Sequence, residues 1–247
     1  IIARQTDVAG NISPNTAAIN IGIDMGLPEV IDVSSDTSDG HFKEGEVITV
    51  TVKFSEAVIV TETPRIALET GITDRYANYV TGSGTDKLVF AYTIQSGDVA
   101  SDLEYISFNS LELNNGLIKD TNGNRTNYIL LPEPGEIGSL SYNKNFVVDT
   151  TQPVVNAGAD IAWRNTSANL DGTATDVNGM IIKWEKIAGT GTVNFGNDAS
   201  CDTTVAGIDG EEQIFTLRLT ATDFAGNSVS DTLVFNWDKK GPVVNAG

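Results

Sequence analysis

The stretch Phe215-Thr216-Leu217-Arg218-Leu219-Thr220-Ala221-Thr222-Asp223-Phe224-Ala225-Gly226-Asn227 decides the fold class. From Phe215 to Ala221 it alternates apolar and polar residues, the period-two pattern of a strand with one face on a core and one in water. Asp223 to Asn227 then supplies turn chemistry: Asx side chains that bond their own backbone, and a Gly free to take positive φ. The same pattern recurs along the chain. Ile48, Val50, Val52 and Phe54 alternate with Thr49, Thr51 and Lys53, and Leu88, Phe90, Tyr92 and Ile94 form another row. Clusters such as Asp39-Gly40, Gly82-Ser83-Gly84, Asn114-Asn115-Gly116, Asn178-Gly179 and Gly189-Thr190-Gly191 separate the rows. No stretch carries a helical period. Short strands with frequent turns and no helices predict an all-β chain of tandem immunoglobulin-like antiparallel β-sandwiches in an extended array.

Internal repetition sets the expected boundaries. Thr222 to Asn227 echoes Thr6-Asp7-Val8-Ala9-Gly10-Asn11. Asp24-Met25-Gly26-Leu27-Pro28, Asp149-Thr150-Thr151-Gln152-Pro153 and Asp238-Lys239-Lys240-Gly241-Pro242 share the form of a linker. The phrase from Pro153 to Gly158 returns unchanged from Pro242 to Gly247. The expected units are therefore residues 1–27, the tail of a preceding module, then 28–152 and 153–241, with 242–247 opening another.

Composition excludes several functions. Fifteen basic against 33 acidic side chains leave a net charge of −18, which repels nucleic acid and anionic membrane surfaces and suits hard cations. One Cys and one His forbid an internal disulfide framework and a Cys/His zinc cluster. No apolar run reaches the ~18 residues of a membrane span, and Ile1-Ile2-Ala3-Arg4 does not read as a signal peptide. Nucleophile-elbow, dinucleotide and P-loop motifs are missing, His41 is the only imidazole, and 33 acidic residues guarantee chance carboxylate pairs. An enzyme is not expected.

Counting alternating strands yields a geometric expectation. In residues 153–241 the start of the first strand, Asp176–Gly179 and Asp223–Asn227 share the pole that faces the preceding unit. In residues 28–152 the same count places Asp36, Asp39, Glu44, Asp74, Asp98, Asp102 and Asp120 at the facing pole. The junction thus collects carboxylates, and Ca²⁺ takes 6–8 oxygen ligands from such donors. Asp149, Asn156, Asp176, Asn178 and Asp223 are the candidate ligands. The alternative is that both loops are plain hairpin turns stabilised by their Asx side chains. Asp120-Thr121-Asn122-Gly123-Asn124 starts like an EF-hand loop, but Gly is not at the sixth position and Leu131 replaces the closing Glu, so it reads as a turn. Trp184 is expected in a core; Trp163 and Trp237 stand apart in sequence, which favours packing over a sugar-stacking platform. Cys201 reads as an inert thiol.

Residues 153–237 resemble the PKD-like (REJ-type) Ig-fold modules of bacterial surface proteins, through Val155 to Asp160, Leu170 to Gly179, Trp184 and Leu217 to Asp223. The Trp-Asp-Phe-Gly-Asp-Gly phrase of the standard PKD domain is absent. Residues 28–152 resemble Ig-like repeats of very large bacterial adhesins, through Phe42 to Ala57, Thr81 to Gly84 and Asn145 to Thr151. The resemblance implies a secreted, cell-surface setting, a stalk or fibre role, and calcium at the junctions. A glycan- or protein-binding module and an accessory domain of a secreted hydrolase are the alternatives. Expected partners are neighbouring modules of the same chain, host or cell-surface glycan or protein, and other copies through lateral strand pairing, since few Lys residues guard the Thr-rich rows.

Overall fold

The computed structural model describes residues 2–17, 26–124, 129–207 and 212–245. Asp24 and Met25 of the first linker phrase, the start of a strand expected at 127–131, and Ala246-Gly247 lie outside them.

Alternating residues build two separate cores. The first unit contains β1 (Val30–Ser34), β2 (Gly40–Phe42), β3 (Val47–Thr61), β4 (Arg65–Glu69), β5 (Arg75–Thr81), β6 (Thr85–Thr93), β7 (Val99–Ala100), β8 (Glu104–Tyr105), β9 (Leu111–Glu112), β10 (Leu117–Asp120) and β11 (Phe146–Asp149). One sheet runs β1-β3-β6-β5-β4-β8, with β10 on β3 and β9 on β4; β2, β11 and β7 form the other. Ile48, Val50, Val52, Leu88, Phe90, Tyr92, Phe146 and Val148 fill the space between. A single helical turn, α1 (Leu140–Asn143), is capped by Ser139, whose hydroxyl accepts from the Tyr142 N–H.

The second unit contains β12 (Val154–Asn156), β13 (Ile161–Trp163), β14 (Ala168–Asp171), β15 (Thr173–Thr175), β16 (Met180–Ala188), β17 (Val193–Phe195), β18 (Asp202–Gly207), β19 (Glu212–Asp223) and β20 (Ser228–Asp238). Its sheets are β13-β20-β19-β16 and β14-β18-β17, with a β12-β15 pair. On β19, Phe215, Leu217, Leu219 and Ala221 are buried and their neighbours are not, as the alternation requires. Each large apolar side chain so buried contributes about 1.5–3 kcal/mol. Trp184 lies in this core with its indole N–H donating to the Ser200 and Cys201 carbonyls. Burial pushes the Cys201 thiol up, as expected of an inert side chain.

Every named strand pairing falls within residues 30–149 or within 154–238. In each unit the last strand pairs parallel with an early one: β11 with β2, and β20 with β13. The two tryptophans read as apart are neighbours, since Trp163 and Trp237 are Cα partners in the β13–β20 pair. The edge strand β16 is guarded. The Asp198 carbonyl takes the Trp184 N–H, a bulge interrupts its register between Lys186 and Ala188, and Lys183 pairs with Asp198.

Candidate metal centre

Three segments converge where the units meet. Asp149 closes β11, Asp176 and Asn178 sit in the turn from β15 to β16, and Asp223 closes β19. One carboxylate oxygen from each of Asp149, Asp176 and Asp223 lies within 4.8 Å of the others. Asp149 and Asp223 are buried and Asp176 is half-buried. Three like charges at that spacing repel by roughly 3 kcal/mol per pair at an effective dielectric constant of about 20. No Lys or Arg pairs with any of them among the described residues.

Hydrogen bonds hold the carboxylates in place. Asp149 Oδ1 accepts the Thr151 N–H at 2.9 Å, and Oδ2 accepts Asn178 Nδ2 at 2.8 Å. Asp176 Oδ1 accepts the Asn178 N–H at 2.8 Å. Asp223 takes both groups of Asn227, the backbone N–H at 2.8 Å and Nδ2 at 2.7 Å. Nδ2 of Asn227 also donates to the Asp149 carbonyl at 2.9 Å and to the Thr151 carbonyl at 3.3 Å. This one amide therefore ties the linker to the last hairpin turn of the second unit. Thr150 ties it back to the first, accepting the Gly97 N–H and donating to the Asp98 carbonyl. Lys43 Nζ donates to the Gly226 carbonyl at 3.0 Å, and His41 meets Phe224 edge-on at 5.6 Å.

Of the five candidate ligands, the fold brings four together. Asn156 is the exception. It lies at the far end of β12, opposite Thr173, while Val154 and Thr175 form the end nearer the junction. Its side-chain oxygen is used locally on the Gly158 N–H. Asn178 is present, but its NH₂ faces Asp149, so presenting its oxygen to a cation would require the amide to turn over. Asn227 was not among the candidates, though its position was legible: the recurring phrase ends in that Asn.

The phrase is a defined structure with three copies. In Asp7–Asn11, Asp120–Asn124 and Asp223–Asn227 the Asn N–H donates to Asp Oδ1 and the Asn Nδ2 to Asp Oδ2. The intervening Gly has φ of +88°, +97° and +88°, a region that a side chain would strain. Asp120 was expected at the junction and is at the opposite pole. It pairs with Val58, which faces Thr85, whereas the junction ends of those strands are Val47 and Thr93. The strand count failed because β3 runs on to Thr61 and three short strands, β2, β7 and β9, were not foreseen. At Asp120 burial acts to raise the pKa, but hydrogen bonds from the Asn124 side chain and the N–H groups of residues 122–124 outweigh it and hold the carboxyl below its usual range.

The donor set at the junction is all oxygen, hard and anionic, which matches Ca²⁺ or Mg²⁺ rather than a thiolate- or imidazole-preferring metal. Asp149, Asp176 and Asp223 would supply the carboxylates.

No family model matches the chain, and no curated protein matches it. Among solved structures, a PKD domain determined in solution is 26% identical over 37% of this chain and 92% of its own, with a TM-score of 0.29. The N-terminal Ig1-2 module of the Drosophila receptor protein tyrosine phosphatase DLAR is 10% identical, covering 86% and 100%, with a TM-score of 0.27. A tetra-tandem repeat from the extending region of a large adhesion protein is 19% identical, covering 86% and 50%, with a TM-score of 0.25. Scores this low carry no weight for function. The assignment to Ig-like antiparallel sandwiches rests on the strand pairing itself.

Proposed function

We propose that the chain is a stalk segment of a secreted bacterial cell-surface adhesin, in which a calcium ion at Asp149, Asp176 and Asp223 fixes the angle between successive Ig-like units. The observation that carries this reading is the convergence of three carboxylates, from the linker and two loops, with no basic partner. A divalent cation there offsets their mutual repulsion and joins the linker to both loops at once. Asn178 and Asn227 act as positioning residues that aim Asp149 and Asp223. The charge of −18 is consistent with this role, because it keeps long rods apart while leaving the joints cation-seeking.

Isothermal titration of the chelator-treated chain with CaCl₂ tests the reading, accompanied by melting curves and small-angle scattering. Saturable binding, a higher Tm and a narrower distribution of inter-unit distances are expected. All three should be lost in Asp176→Asn/Asp223→Asn. Absence of calcium binding, or binding that persists in the double variant, overturns the site. Binding without change in the scattering profile overturns its role in the joint.

A further inference from the structure

At the open flank of the second unit, the edge strands β13 and β14 of the two sheets stand apart and leave a cleft of about 400 Å³. Its floor is apolar, from the buried Ala168 and Leu233. One wall is Trp163, which is 39% exposed while Trp184 and Trp237 are 1% and 3% exposed. The rim carries Asp160, Asn169 and Asp171. Asp160 accepts the Val234 N–H through Oδ1. The Asn169 amide and the Asp171 carboxylate make no side-chain hydrogen bond among the described residues.

We infer that this cleft is a saccharide-binding site for a neutral hexose unit of a glycan. An indole face beside an apolar floor suits the C–H face of a pyranose ring, and a concave site of this size with a few converging polar groups is the usual form of a small-ligand pocket. The rim supplies what the other face of the ring needs. Carboxylates accept from hydroxyls, and a primary amide both donates and accepts. Two carboxylates also select by charge, repelling uronate and sulfate groups. Trp163 is held in orientation by its register with Trp237, whose own N–H is taken by the Asn165 carbonyl at 2.9 Å. The cleft shares no residue with the junction and does not depend on calcium.

Calorimetric titration of the full chain with neutral gluco-, manno-, galacto- and N-acetylglucosamine-configured tetrasaccharides is the test, with circular dichroism to verify folding of each variant. At least one tetrasaccharide should bind saturably. Trp163→Ala should abolish that binding, Asp171→Ala on the exposed rim should weaken it at least tenfold, and added chelator should leave it unchanged. The inference is overturned if no neutral saccharide binds, if Trp163→Ala binds as the parent does, or if only uronate-bearing saccharides bind.

Discussion

Asn227 concentrates more of the joint in one side chain than any other residue near it. Its amide bridges Asp223 and two linker carbonyls. Asn227→Ala removes a partner from a buried carboxylate, a change that costs about 1–3 kcal/mol; thermal melts should show it as a lower Tm, with calcium affinity reduced as Asp223 loses its support. The matching substitution at the other pole, Asn124→Ala, should leave calcium affinity unchanged. Its effect is read instead through pH. Asp120 has a folded pKa below its ordinary 3.8, so its stabilising contribution is complete above that value and is lost as pH falls through the folded value. The Tm difference between parent and Asn124→Ala should therefore be largest at neutral pH and shrink below about pH 3.8. A difference that stayed constant to pH 2 would contradict the linkage. At this scale the sequence was informative where a residue repeated in a phrase, as with Asp223. It was not where position alone decided: Asn156 carries the right donor but sits at the wrong end of a three-residue strand.

At the scale of elements, alternation reported the long strands well and the short ones poorly. β19 and β20 emerge from the sequence nearly whole because each buries a full row of large side chains. β2, β7 and β9, of two or three residues, have too few positions to show a period, and tertiary pairing creates them. The long stretch expected as a single strand at 168–175 divides at Gly172, where an added Cβ would approach Leu219 at 2.8 Å and Trp184 at 3.0 Å. Gly207, at the end of β18, is tighter still, with a Cβ position 1.7 Å from the Trp237 ring. Gly207→Ala must displace an indole packed in the core and should lower stability by roughly 1–3 kcal/mol or more, measured by urea denaturation. Edge protection is also an element-scale property. Lys183 and Lys186 line the outer strand β16, and Lys186 Nζ caps the Gly189 carbonyl at 2.8 Å. Replacing both with Thr should promote self-association, visible as concentration-dependent sedimentation; a variant that stays monomeric would show that the bulge and the Asp198 contact suffice.

At the scale of the whole molecule, aromatic residues are divided between the units. All three Trp lie between residues 154 and 238, and all six Tyr between residues 28 and 152. Trp emission therefore reports unfolding of the second unit and Tyr absorbance that of the first. If the calcium joint couples them, the two denaturation midpoints should draw together with calcium and separate with chelator; midpoints insensitive to calcium would show that the units unfold independently of the joint. The pairing of last strand with early strand in each unit has a mechanical consequence. Because β11 with β2 and β20 with β13 run parallel, tension applied along the chain slides each pair lengthwise and loads its hydrogen bonds together, so that the pair resists pulling far better than a hairpin opened one bond at a time.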